Sequence, residues 1–206
     1  MPRDTKEMRS RLQYAALELF RKHGYDQTTA AEIAARAGVT ERTFFRYFAD
    51  KREVLFAGAE KLRLALVEGI ANAPDIKNPL RAVVGVLTEF DWESLETRDF
   101  QRQRHAVIAS NPELLERELI KQRSIAVAFT DTLRQRGVEP QIAQLAVGVG
   151  IQLFATAYEK WLQADDETAL SAMSEAAMSL LDALVPANVK RRSSKARPRK
   201  GQSRRK

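Results

Sequence analysis

The side chains best equipped for chemistry sit together in residues 40–51, TERTFFRYFADK. Arg42 and Arg46 carry guanidinium forks that match a phosphate or the paired acceptors of a guanine edge, and Glu41 can accept from an amino group such as cytosine N4. Thr40, Thr43 and Tyr47 add hydroxyls, and Phe45 adds an aromatic face. Together they form a surface suited to meeting DNA. Elsewhere reactive chemistry is sparse. There is no cysteine, and the two histidines, His23 and His105, are not at a metal-binding spacing. His23 belongs to a helix end and is not expected to be a ligand. Glu89, Asp91, Glu93 and Glu96 look like a solvated helix end, and no serine sits on a nucleophile turn. No catalytic residue, metal or cofactor is expected.

Charge is unevenly distributed along the 206 residues. Residues 1–52 hold 11 basic and 7 acidic groups, residues 53–189 hold 13 and 20, and residues 190–206 hold 10 and none. The formal +7 is therefore a basic head and tail around an acidic body. Only the ends are expected to attract a polyanion. The charged start lacks the apolar run of a signal peptide, so a cytoplasmic location is expected.

The elements that position residues 40–51 are helices. Met8, Leu12, Ala15, Ala16, Leu19 and Phe20 share one face up to Gly24. Thr29 with Glu32 has the spacing of a capping box, and Gly38 ends that helix after two turns. Thr40 is the next N-cap, and Asp50 with Glu53 is expected to open a long helix carrying Val54, Leu55, Ala59, Leu62, Leu66 and Ile70. Asn78-Pro79 and Asn111-Pro112 are further starts. Helices are predicted over 80–92, 99–110, 113–136, 140–163 and 168–184, and no period-two strand pattern competes with them. The fold class is all-α, with about nine helices.

Two short helices around Gly38-Val39 have the spacing of a helix-turn-helix. Val39, Thr43, Phe44 and Phe48 can face Leu19, Phe20, Ile33 and Ala34. That turns Thr40, Glu41, Arg42, Phe45, Arg46 and Tyr47 outward. A rotation of about 100°, one residue step of the helix, would instead bury Phe45. Thr29 and Thr40 also serve as plain caps, and Glu41 also suits the first-turn dipole.

At these residues the chain resembles the TetR family of bacterial transcriptional repressors. The likeness covers residues 8–56 and rests on Phe20, Gly24-Tyr25, Thr29, Glu32-Ile33-Ala34, Ala37-Gly38-Val39-Thr40, Phe45-Arg46-Tyr47-Phe48, Lys51 and Val54-Leu55. It implies a three-helix DNA-binding domain over residues 1–50 and a helical ligand-binding and dimerisation domain over 51–188. It also implies phosphate contacts from Thr29, Thr40, Thr43, Tyr47 and Lys51, and base contacts from Glu41 and Arg42. Phe45 stands where such proteins usually have a tyrosine, so a thymine methyl or a sugar is its expected contact. Ala30 and Ala31 offer no polar reader.

The resemblance further implies a double-stranded operator, a small lipophilic effector and a homodimer as partners. Phe90, Trp92, Phe100, His105, Ile108, Phe129 and Phe154 are the candidates for lining an effector pocket, and any of them can equally be core. Gly148, Gly150, Ala155, Leu170, Met173, Ala177, Leu180 and Leu181 are the candidates for the dimer interface, with Phe154 a further apolar contact. Residues 140–158 are 19 consecutive uncharged positions. Their glutamines and glycines favour a helix buried on several sides over a membrane span. Residues 189–206 are a basic tail too polar to order itself, suited to flanking phosphates. The alternative function is a helical ligand-binding or interaction protein with only non-specific DNA affinity.

Overall fold

The structure, a computed structural model, describes residues 3–74, 76–164 and 168–184. The basic tail lies outside the described residues. Among these, nine α-helices and two 3₁₀ turns account for the regular structure, with no strand. α1 (Arg3–His23), α2 (Ala30–Arg36) and α3 (Glu41–Tyr47) form the head. A 3₁₀ turn, Glu53–Phe56, leads to α4 (Ala59–Asn72), α5 (Pro79–Glu89), a second 3₁₀ turn at Trp92–Ser94, and α6 (Arg98–Ala109). Three long helices complete the body: α7 (Pro112–Gln135), α8 (Pro140–Gln163) and α9 (Leu170–Leu184).

The local start signals act as expected. Asn78 Oδ1 accepts from Arg81 N, and Asn111 Oδ1 accepts from Glu113 N and Leu114 N, each with proline in the first turn. These bonds satisfy amides that have no partner within the helix.

The long helix expected from Asp50 is broken. Asp50 Oδ1 does accept from Arg52 N at 2.8 Å and Glu53 N at 3.0 Å. The segment nevertheless makes only the 3₁₀ turn before Gly58, at φ +82°, redirects the chain into α4. Two different cores explain the break. Val54, Leu55 and Phe56 bury with the head, whereas Leu66 and Ile70 bury in the body.

Three apolar clusters hold the fold. The first joins Leu12, Phe20, Ile33, Phe44 and Phe48 of the head to Val54, Leu55 and Phe56, and extends to Phe100, Val107, Ile108 and Leu114 on α6 and α7. The head's core therefore does not stop at residue 50. The second packs α4, α5, α7 and α8 around Phe129. The third joins Ala157, Trp161 and Leu162 of α8 to Leu170 and Ala177 of α9.

α8 is long and apolar enough to cross a membrane by length and composition, yet only 28% of its most apolar stretch is buried within the chain. Within one chain α8 is therefore buried on one side only. Ala143, Ala146, Val147, Gly150, Ala157, Trp161 and Leu162 form one buried side. Ile142 and Leu145 on the other are 52% and 68% exposed.

Candidate functional site

α2, the turn and α3 are fixed by bonds that leave one face of α3 unused. Glu32 N donates to Thr29 Oγ1 at 3.2 Å, while Thr29 N and its hydroxyl donate to Glu32 Oε2 at 2.7 and 2.8 Å. These Thr29 bonds hold the Glu32 carboxyl below the ordinary glutamate range. Gly38 takes φ +70°, and a Cβ there would lie 3.2 Å from Arg11 Nη2. That same Nη2 donates to Ala37 O at 2.5 Å, so α1 pins the turn. Thr40 Oγ1 accepts from Thr43 N at 3.2 Å and lies 3.0 Å from the Thr43 hydroxyl.

Phe44 is fully buried and Phe48 nearly so, which sets the rotation of α3. Phe45 is 50% exposed, edge-on to Phe44 at 5.4 Å, so the outward orientation is the one adopted. Glu41, Arg42 and Arg46 are exposed, and Thr43 is half-buried. Tyr47 is half-buried beneath the Arg46 guanidinium, which lies 5.0 Å from its ring centre. Seven residues form too short a helix to persist alone. This one depends on Phe44, Phe48 and its cap.

Lys51 is placed differently from Arg42 and Arg46. Its ammonium donates to Tyr25 O at 2.8 Å and Thr28 O at 3.1 Å, approaches Asp26 O at 3.4 Å, and lies 4.2 Å over the Tyr25 ring. The charge expected to hold a phosphate is engaged in tying the α1–α2 connection to the segment after α3. Sequence reasoning also missed two arginines of α1. Arg11 pins the turn, and Arg9 lies 5.4 Å over the Phe48 ring with its buried Nε unpartnered. Their only signal was position beside the apolar stripe, where long side chains lie along the surface.

The candidate effector residues do not converge as one group. Phe90, Trp92 and Phe154 do meet, with ring centres 5.1 Å apart for Phe90–Trp92 and 5.3 Å for the stacked Trp92–Phe154 pair. Tyr158, which sequence reasoning missed although it lies one turn after Phe154, joins them at 5.3 Å from Trp92 and 5.4 Å from Phe154. All four rings are half-buried. Phe129 is instead central to the second core. Phe100 and Ile108 pack beneath the head, Phe100 lying 4.7 Å from the Tyr14 ring. His105 is exposed on α6.

The dimer candidates divide as well. Leu170 and Ala177 are buried within the chain. Gly150 allows α5 to approach α8, since a Cβ there would fall 2.6 Å from Val83 Cγ1. Gly148 is open, Leu180 is 55% exposed, and Ala155, Met173 and Leu181 are half-buried. With Ile142, Leu145 and Leu184 they leave an apolar surface on α8 and α9.

A charged clamp joins head to body around Phe56. Arg52 Nη1 lies 3.0 Å from Glu113, and Arg117 Nε lies 2.9 Å from Glu53. Arg104 Nε donates to Leu55 O at 2.6 Å, and its Nη2 lies 3.1 Å from Glu118. Lys121 Nζ is 3.0 Å from the same Glu118 oxygen. Burial raises the Glu118 carboxyl, but the charges of Arg104 and Lys121 outweigh it and hold it down at about 2. Burial and the Arg104 charge lower the Lys121 ammonium despite Glu118.

A family model described as bacterial regulatory proteins, tetR family, matches residues 14–57. A Mycobacterium tuberculosis protein described as a mycofactocin biosynthesis transcriptional regulator, MftR, is 31% identical over 184 residues, covering 82% of this chain and 86% of that protein. The transcriptional activator FasR of Mycolicibacterium smegmatis is 31% identical over 177 residues, covering 80% and 76%. Among solved structures, NalD, the secondary repressor of the MexAB-OprM multidrug efflux pump in Pseudomonas aeruginosa, matches with a TM-score of 0.61. It is 19% identical over 87% of this chain and 96% of its own, a likeness of fold.

Proposed function

The chain belongs to the TetR family of bacterial regulatory proteins, and from that premise we propose that it grips a near-palindromic operator as a two-fold dimer and is released by a small lipophilic effector. It is a DNA-binding transcriptional regulator. The observation that carries the reading is the outward face of α3, where Glu41, Arg42, Phe45 and Arg46 are exposed and the helix is held by other residues. Arg42 or Arg46 pairs with guanine O6 and N7, Glu41 accepts from cytosine N4, and Phe45 presses on a thymine methyl. Thr29, Thr40, Thr43 and Tyr47 hold phosphates.

One seven-residue helix reads too few bases to choose a site, so two copies about 34 Å apart are needed. The exposed apolar surface of α8 and α9 supports pairing through those helices. On this reading the head is residues 1–50, the body 51–188, and the tail 189–206 adds non-specific affinity. The protein works in the cytoplasm, without catalysis or cofactor. Its curated relatives include an activator, and repression is proposed for sites that overlap a promoter.

Footprinting on the DNA upstream of the gene tests the proposal. Protection of a near-palindrome is expected, and Arg42→Ala is expected to weaken it by about 1–3 kcal/mol. Uniform, salt-sensitive protection without a discrete site would overturn it.

A further inference from the structure

Through α6 the half-open aromatic cluster and the half-buried cations Arg104 and Lys121 make one candidate amphipathic site. We propose that it takes the effector as an aromatic carboxylate, whose ring enters among Trp92, Phe154 and Tyr158 and whose carboxylate competes with Glu118 for Arg104 and Lys121. This rests on the regulator reading above and narrows its effector to a chemical class.

The two halves are joined through α6. Gln101 and Arg104 are three residues apart, so their side chains share a helix face. The Tyr158 hydroxyl is bonded to Gln101 Oε1, and Gln101 Nε2 donates to Trp92 O and Glu96 O, each at 2.7 Å. Burial raises the Tyr158 hydroxyl, with Arg104 lowering it and Glu118 raising it in turn. These bonds lead from the stacked rings, past a phenol and an amide, to the face of α6 that carries Arg104, whose carboxylate partner Glu118 also holds Lys121.

The charge count selects the ligand's sign. The clamp as a whole pairs four cations with four acids, but unevenly: Arg104 and Lys121 share only Glu118 at this inner end, whereas Arg52 alone holds both Asp50 and Glu113 at the outer end, so a local positive excess lies inward. The other acids of the clamp are held elsewhere, Glu113 and Asp50 by Arg52 and Glu53 by Arg117. A monoanion balances that charge where its desolvated attraction to a guanidinium is strongest. The rings select the rest. Phe90, Trp92, Phe154 and Tyr158 pack against the second and third cores yet each stays partly open, with Trp92 and Phe154 stacked at 27°. A flat apolar ring covers such surfaces better than a flexible polar chain.

The same site reaches the head. Arg104 also donates to Leu55 O in the 3₁₀ turn, so a carboxylate that draws its guanidinium away loosens the turn that precedes α4. The ligand then favours whichever state has that bond open.

Calorimetric titration of the full-length protein at pH 7 with 2-naphthoate, 4-biphenylcarboxylate and 4-phenylbutyrate, each beside its matching alcohol, tests the assignment. At least one acid is expected to bind about tenfold more tightly than its alcohol. Lys121→Met should erase that preference while the alcohol's affinity stays put, and Glu118→Gln, which removes the competitor, should tighten the acid. The inference fails if no acid binds, if acid and alcohol bind alike, or if Lys121→Met keeps the preference. Should Lys121→Met fail to fold, Glu118→Gln decides, and acid affinity that is unchanged or weaker overturns the proposal. Footprinting in parallel separates the two readings: a protected operator without acid-selective binding sinks this inference alone, whereas no protected operator sinks the regulator reading.

Discussion

At the scale of single residues, Arg46 and Lys51 show how alike two cations can look in a sequence and how differently they are used. The Arg46 guanidinium rests on Tyr47 at the surface, whereas the Lys51 ammonium serves backbone carbonyls 23 to 26 residues away. With Arg42 on the guanine edge, Arg46 is the charge left for a phosphate, so Arg46→Ala is expected to reduce the slope of log binding constant against log salt by about 0.9, one phosphate's worth. Lys51→Met should leave the slope nearly intact and instead lower stability by about 1–3 kcal/mol through its stranded carbonyls. Paired salt titrations and urea denaturation read both, and a slope change confined to Lys51→Met would reverse the assignment. The caps were legible because Thr29, Thr40, Asn78 and Asn111 act within three residues of themselves. Lys51 was not, because its partners are brought to it only by folding. Thr29→Ala should cost about 1 kcal/mol. The Glu32 carboxyl it bonds is lowered, so that contribution is present above the unfolded carboxyl value and is lost as pH falls through the lowered one. Melting wild type and Thr29→Ala from pH 7 down to 3 should show the gap between them narrowing by the hydroxyl's share only, since the Thr29 N–H bonds Glu32 in both and the cap bond from Glu32 N does not titrate.

Among the elements, every α-helix inferred from apolar periodicity is present, but the long one was not continuous. Its apolar positions line up on paper because the period survives a change of core, and only Gly58 marked the break. One substitution, made at three glycines, separates the roles. Gly58→Ala puts a side chain in open space but at φ +82°, and should destabilise by about 1 kcal/mol. Gly85→Ala, in α5 with no neighbour closer than 4.0 Å, should stabilise by about 0.5–1 kcal/mol. Gly150→Ala drives a methyl onto Val83 and should cost about 1–3 kcal/mol. Melting temperatures in the order Gly85→Ala, wild type, Gly58→Ala check the backbone argument, and a stabilising Gly150→Ala would contradict close α5–α8 packing. The rotation of α3 was half legible. The pattern allowed Phe45 in or out, and only burial of Phe44 and Phe48 beneath α1 and α2 selected the outward state.

At the scale of the whole molecule, sequence could name apolar residues but not assign them to faces. Phe100 and Ile108 belong beneath the head, Gly150 and Leu170 to contacts within the chain, and His105 to the surface. Leu145, 68% exposed, is the sharper probe of pairing. Leu145→Glu should convert a dimer to a monomer in light scattering with its helical circular dichroism unchanged, and a persistent dimer would move the interface elsewhere. The clamp should appear in acid titration. Glu118 ionises at about 2 instead of 4.5, so its contribution is complete above 4.5 and declines as pH falls toward 2. Urea midpoints should show Glu118→Gln weaker than wild type at pH 7 and converging with it near pH 2, and a constant offset would deny Glu118 that role. The core shared by head and body bears on sensor engineering. A foreign head grafted at residue 50 would meet Phe100, Ile108 and Leu114 without the surface that covers them. A working chimera needs its seam redrawn in three dimensions, with Val54, Leu55 and Phe56 exchanged as a block and the α6–α7 face redesigned to match, so compatible halves must be chosen as pairs and not mixed freely.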